Sequence, residues 1–260
     1  MLYYELSGNG KEDLVLLHGF MENTTIWTDM EERLSDDFRL IKIDLPGHGS
    51  SLIYSEVHTM EFMAEKVKEV TDHLNLKKFH LLGHSMGGYV SLAFAEAFPE
   101  VLKSITLFFS SPMADDAEKK EQRLKSLRVI REAFAGYVNA GVPNLFNPNE
   151  KAFLEGKIAV AKEIALSTPN EGAAAAVQGM AERTEKWNII HSFRERILVI
   201  AGKHDTAVKT EEVLEQLPDR TNLKSYLVDC GHNGHWEKPA VCAEIINTEL
   251  LHQLPKKLIF

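Results

Sequence analysis

The sequence predicts an α/β protein: a mainly parallel sheet flanked by helices and interrupted by a helical insertion. Three observations predict it. Short apolar runs of β-prone residues alternate with segments of helical period, the pattern of successive βαβ units. The alternation lapses once, between about Pro112 and Ile190, where only helical patterns are found. One strand-to-helix junction, Gly83-His84-Ser85-Met86-Gly87, is glycine-rich in a way that a sharp turn demands.

Strands are expected at residues 14–17, 39–43, 79–82, 104–109, 197–200 and 224–228, short β-rich apolar runs of which Leu14-Val15-Leu16-Leu17 is of the kind buried on both sheet faces. Phe62, Val67, Val70 and Leu74 mark a helix after a Thr59 cap. Residues 88–98 form the helix after the glycine-rich turn. Within the insertion, Leu124, Leu127, Ile130 and Phe134 mark an amphipathic helix. Asn147-Pro148-Asn149-Glu150 and Thr168-Pro169-Asn170-Glu171 both offer an N-cap, Pro at N1 and Glu at N3, so two further helices are expected to start there. The resulting division is a core of residues 1–112 and 191–260, with residues 113–190 as a helical cap.

Composition narrows the function classes. With 260 residues, 44% apolar and 26% charged, the chain is globular rather than fibrous or disordered, and long enough to need no disulfide or metal staple. Its net charge of −9 argues against a nucleic-acid partner, which would require phosphate neutralisation by Lys and Arg. The insertion is neutral, with 11 acidic and 11 basic residues, so the negative charge sits on the flanking segments. No run reaches the ~18 apolar residues of a membrane span, and the N-terminus shows no signal-peptide pattern. Only Cys230 and Cys242 occur, so no disulfide framework is expected and the cytoplasm is the expected compartment. Oligomeric state is not readable.

The chemistry concentrates on the turn. A serine between a strand and a helix projects its hydroxyl above the sheet edge, where the helix start offers backbone amides to a developing oxyanion. Such a hydroxyl needs a base within hydrogen-bond reach, and an imidazole titrates in the right range. His18-Gly19-Phe20 follows the first strand and Asp44 to Ser51 the second; Gly202-Lys203-His204-Asp205 ends a late strand, and Gly231-His232 precedes Glu237-Lys238-Pro239. With these pieces the chain resembles the α/β-hydrolase fold family over all but the insertion. The resemblance implies a Ser-His-Asp triad of Ser85, Asp205 and His232, in the family's chain order. It selects His232 over His235, which becomes a residue behind the base or in the pocket wall. It also implies an oxyanion hole from the backbone amides of Phe20 and Met86.

The implied activity is serine hydrolysis of a small, largely apolar carboxylic ester through an acyl-enzyme, with the insertion acting as a lid. C–C bond hydrolysis, enol-lactone opening and cofactor-free perhydrolysis use the same triad, and a slow-turnover small-molecule receptor on this fold is the rival from another class. Met21, Met113, Met180, Trp187 and Trp236 are candidates for the pocket wall. His18 and His48 are expected to fix loops, and Trp27 to pack in the core. No cofactor is implied. No metal is expected, since no metal-ligand spacing such as H-E-x-x-H is present. The basic run from Lys119 to Arg131 interleaves with Glu118, Glu121 and Glu132 and is expected to be a solvated helix face. Cys230, two residues before His232, is expected to give partial inhibition on alkylation.

Overall fold

The structure, a computed structural model, describes residues 1–34 and 36–251; the end of the expected core segment beyond 251 lies outside them. Seven strands form one sheet: β1 (Tyr4–Ser7), β2 (Glu12–Leu17), β3 (Phe38–Ile43), β4 (Phe79–His84), β5 (Leu102–Phe108), β6 (Arg196–Gly202) and β7 (Leu223–Val228). Their order is β1-β3-β2-β4-β5-β6-β7. Every pairing is parallel except β1 with β3. The six expected strands are all present, and the sheet is flanked by helices as the class requires. β1 is the addition. It is a four-residue edge strand with Leu6 half exposed, too short to show a period and paired with a partner far along the chain.

The helices are α1 (Thr28–Glu31), α2 (Met60–His73), α3 (Met86–Ala97), α4 (Ala117–Gly141), α5 (Glu155–Ser167), α6 (Asn170–Glu182), α7 (Trp187–Ser192), α8 (Thr210–Gln216), α9 (Gly234–Glu237) and α10 (Pro239–Leu250). Thr59 caps α2 as its sequence demands, accepting from the Phe62 amide at 3.1 Å. β4 is buried along its whole length, and α3 buries nearly every side chain beside it, so this strand–helix unit lies at the centre of the molecule. Because β2 is flanked by β3 on one side and β4 on the other, the strand order reverses between β2 and β4. Crevices form at the carboxyl ends of strands at such a reversal. The residues leaving these two ends are His18-Gly19-Phe20 and Ser85.

Between β5 and β6 the described chain is helical. Two details differ from expectation. The Asn147 device starts no long helix: its side chain accepts from the Asn149 amide, a 3-10 turn follows at Lys151–Phe153, and α5 begins only at Glu155. Asn147 is instead held by the core, its own amide donating to the Glu237 carboxylate at 3.0 Å. At the second device α6 does begin, yet Pro169 occupies the N-cap position and no side chain caps the helix.

The apolar stripe of α4 also falls differently. Ile130, Phe134 and Val138 are buried, but Leu124 is 55% exposed. The inward position one residue earlier is taken by Arg123, whose guanidinium meets the buried carboxylate of Asp115. A fixed ion-pair partner thus overrides the apolar pattern in the first half of this helix. Ile130→Ala is expected to cost about 2–5 kcal/mol, the scale for emptying a buried aliphatic site. Leu124→Ser is expected to stay within about 0.5 kcal/mol. Denaturant titration of both variants checks the facing of α4, and equal losses would refute it.

Candidate active site

Ser85 sits between the last residue of β4 and the first of α3 with φ 50° and ψ −113°, a conformation costly for a residue with a side chain. Packing holds it there. A Cβ on Gly83 would lie 2.1 Å from the Gly87 carbonyl oxygen, and one on Gly87 would lie 2.5 Å from that of Leu17, so no larger residue fits at either position. The Ser85 amide donates to the Phe108 carbonyl at 3.0 Å, and the Ser110 hydroxyl donates to the Ser85 carbonyl at 2.7 Å. Met86 opens α3, so its N–H belongs to the orphan donors of a helix start.

His232 and Asp205 come from the loops after β7 and β6. His232 Nδ1 donates to Asp205 Oδ2 at 2.7 Å, which leaves Nε2 with a lone pair. The other carboxylate oxygen, Oδ1, accepts from the amides of Ala207 and Val208 at 2.8 and 3.0 Å. Burial alone would raise the Asp205 pKa, but the adjoining imidazole and these hydrogen bonds outweigh it and hold the carboxyl below its usual range. The His232 loop is set by Glu237. Its buried carboxylate accepts from the amides of Gly231 at 3.0 Å, Asn233 at 3.2 Å and Asn147 at 3.0 Å. The residues on either side of His232 are therefore tied to one side chain, which explains a Glu five positions after His232.

Ser85 and His232 line the same cavity of about 300 Å3, together with Phe20, Met21, Glu22, His84, Leu145 and Met180. Among the described residues the Ser85 hydroxyl makes no hydrogen bond to the imidazole. In ligand-free sites such contacts are commonly long and tighten when substrate binds. Of the expected wall residues, Met21 and Met180 face this cavity. Three do not. Met113 borders a neighbouring crevice beside Tyr89 and Arg183, Trp187 packs against His191, and Trp236 stacks on Phe146. Aromatic residues without a polar cue read alike in sequence whether they face a pocket or a core.

His235, the rival base, is fully buried among Trp27, Phe108, His84 and Trp236 and does not border the cavity. Neither ring nitrogen has a partner, and burial drives its pKa far down, so it is a neutral core imidazole. His18 and His48 fix loops. His18 Nδ1 donates to the Gly19 carbonyl at 2.7 Å while Nε2 accepts from the Leu45 amide at 2.9 Å; His48 Nδ1 donates to the Pro46 carbonyl at 3.0 Å. Trp27 is fully buried against Phe108.

A buried ion pair at the floor of the site was invisible in the sequence. Glu22 Oε2 accepts from the Gly19 amide at 2.6 Å and from His84 Nδ1 at 2.8 Å, and His84 Nε2 donates to the His232 carbonyl at 3.1 Å. With both ring nitrogens donating, His84 is an imidazolium. Burial opposes both charges, yet each group is held charged by the other: Glu22 falls to about 2 and His84 rises above its usual value. The pair joins the loop after β2, the serine turn and the His232 loop. Sixty-two residues separate its members, so no local spacing could reveal it. Among the described residues no cluster of three or more His, Cys, Asp or Glu side chains is arranged to hold a metal, and no helix is long and apolar enough to cross a membrane.

Comparison with known proteins shows the family. The family model for the alpha/beta hydrolase fold matches residues 14–239, so the chain belongs to the α/β-hydrolase fold family. It is 27% identical over 253 residues to a candidate 2-succinyl-6-hydroxy-2,4-cyclohexadiene-1-carboxylate synthase of Bacillus subtilis (strain 168), covering 92% of this chain and 90% of that protein. Against the dihydrolipoyllysine-residue acetyltransferase component of the acetoin cleaving system of Pseudomonas putida it is 38% identical over 113 residues. That match covers 44% of this chain and only 30% of the relative's length. Among solved structures, a thermophilic esterase of Thermogutta terrifontis with malate bound superposes with a TM-score of 0.90 at 32% identity, covering 96% of this chain and 93% of that one.

The Glu22–His84 pair has a defined pH window. Glu22 has a depressed pKa, so its contribution to stability is complete above its unfolded value near ~4.3 and is lost as the pH falls toward about 2. His84 has a raised pKa, so its contribution is complete below ~6.5 and is lost as the pH rises through its folded value. Glu22→Gln is expected to cost about 3 kcal/mol, with the gap in melting temperature widest between roughly pH 4.5 and 6.5. A gap that does not change from pH 4 to 9 would exclude an ionised pair.

Cys230 corrects a second expectation. It is fully buried, and burial and the neighbouring Cys242 push its thiol far up, while Cys242 itself is pushed up to about 12. Neither is expected to react with a thiol reagent in the native protein, so alkylation will leave activity unchanged; both will titrate in denaturant. Rapid native labelling of either thiol contradicts this.

Proposed function

We propose that this protein is a serine hydrolase that cleaves small carboxylic esters by way of an acyl-enzyme. The observation that carries the reading is the hydrogen bond of His232 Nδ1 to Asp205, 2.7 Å long, on an imidazole that borders the same cavity as the strained Ser85. Ser85 attacks the ester carbonyl while His232 Nε2 takes its proton. The oxyanion is received by the backbone amides of Phe20 and Met86, and Asp205 holds the imidazole in the right tautomer and stabilises the imidazolium. His232 then protonates the leaving alcohol. Water then attacks the acyl carbonyl as it gives a proton to His232, and His232 returns that proton to the Ser85 oxygen as the bond to it breaks and the acid leaves.

A cavity near 300 Å3 is at the small end of ligand sites, which suits a short acyl chain. α4 and α6 supply one side of it through Tyr137 and Met180, and we assign residues 113–190 to a cap that shapes the pocket and limits water. The esterase relative that aligns over nearly the whole chain supports the ester class.

Ser85→Ala is expected to lower kcat on purified protein by up to about a million-fold, the scale for removing one member of such a unit, and Asp205→Asn by about 10⁴. The measurement is hydrolysis of p-nitrophenyl esters of graded acyl length. Retention of more than a few per cent by Ser85→Ala overturns the mechanism, and a single burst without turnover in the wild type would instead mark a ligand-binding protein.

A further inference from the structure

The basic run at the start of α4 divides in two. Lys125 and Arg128 point to solvent and pair with Glu121 and Glu132 one helical turn away, as a solvated face does. Lys119 and Arg123, themselves one turn apart, face the other way and border the cavity that holds Ser85 and His232. Both are half-buried.

Their charge is not matched. Asp115 is the carboxylate beneath them, with its side chain fully buried, and it serves two guanidinium groups, Arg123 and Arg183. Arg183 is committed elsewhere. Its amino groups also donate to the carbonyls of Met180 and Met113 at 2.8 and 3.2 Å, and its guanidinium lies 4.0 Å from the centre of the Tyr89 ring. Lys119 donates to a neutral acceptor, the Ala207 carbonyl, at 2.8 Å. The nearby Asp116 is exposed; it accepts from the backbone amide of Lys119 at 2.8 Å and feels its charge, but its side-chain ion pair is with Lys209. Of the acids nearby, Glu22 is matched by the imidazolium of His84, while Asp205 keeps its charge behind the neutral His232 and does not itself line the cavity. With one carboxylate, Asp115, in contact with the two guanidinium groups and Lys119 on a neutral acceptor, positive charge is left on the wall of a small cavity, where an anion is bound more strongly than at an open surface. A pocket for a plainly apolar ester would not retain such a wall, since burying unmatched charge is costly.

We propose that Lys119 and Arg123 form a subsite for a carboxylate on the substrate, so that the ester cleaved at Ser85 is a half-ester or acyloxy acid, charged at the end away from the scissile bond. This deepens the esterase reading and rests on it. The charge could lie on the acyl half or on the alcohol half, and the subsite chemistry is the same.

Two matched pairs of esters distinguish the halves. Monomethyl glutarate against methyl valerate puts the carboxylate on the acyl side, with methanol release as the readout; acetoxyacetate against propyl acetate puts it on the alcohol side, with acetate release. The wild type is expected to favour the charged member of at least one pair at least tenfold in kcat/KM, mostly through KM. Lys119→Met and Arg123→Gln are each expected to lower that charged-to-neutral ratio at least tenfold. Because Arg123 also pairs with buried Asp115, Lys119→Met serves if Arg123→Gln does not fold. Ratios at or below one in both pairs, or ratios that Lys119→Met leaves unchanged, overturn the subsite. If no ester is turned over at all, the esterase reading fails, and calorimetric binding of glutarate decides the subsite separately: it stands if wild type binds glutarate and Lys119→Met loses at least tenfold in affinity, and falls otherwise.

Discussion

One backbone turn imposes the rest of this site. The chain must reverse from β4 into α3 so tightly that the alpha carbons of Gly83 and Gly87 face carbonyl oxygens with no space for a side chain. Ser85 is left in a left-handed conformation at the apex. Such strain persists only where the surroundings overdetermine it. Here they do so through the Phe108 carbonyl, the Ser110 hydroxyl and the buried flanks of β4 and α3. The position of the turn at the sheet's reversal point then decides which loops can border the same cavity.

Charge organises those loops. Two buried acid–imidazole pairs lie side by side, with the rings of His84 and His232 5.0 Å apart between centres, and they do different work. In Glu22–His84 both partners are held ionised and the pair is spent on bonds to backbone, joining three loops. In Asp205–His232 the carboxylate engages only one imidazole nitrogen. Glu237 adds a third buried carboxylate whose partners are amides. Each is satisfied by several donors, the condition under which a buried charge stabilises rather than costs.

The helices between β5 and β6 give the cavity its character. The first half of α4 turns Arg123 rather than Leu124 inward, because the buried Asp115 carboxylate must be met by a cation. The wall thus combines the apolar Met21, Leu145 and Met180 with Lys119 and Arg123, a mixed surface where the candidate wall residues had suggested an apolar one.

The sequence by itself determined the sheet and its turn. Strands buried on both faces are mostly apolar, and a strained serine turn must be flanked by glycine, so residues 14–17, 197–200 and 83–87 are legible without coordinates. Asp205 and His232 were singled out by the resemblance to the family; the structure places both on loops that leave strand ends, after β6 and β7, and joins them by a hydrogen bond. Tertiary structure alone decided the partnership of Glu22 with His84, the facing of α4, the role of Asn147 and the exclusion of Met113, Trp187 and Trp236 from the cavity. All four depend on contacts between segments distant in sequence, and a periodic pattern records that a residue is apolar or charged without recording which buried partner it meets.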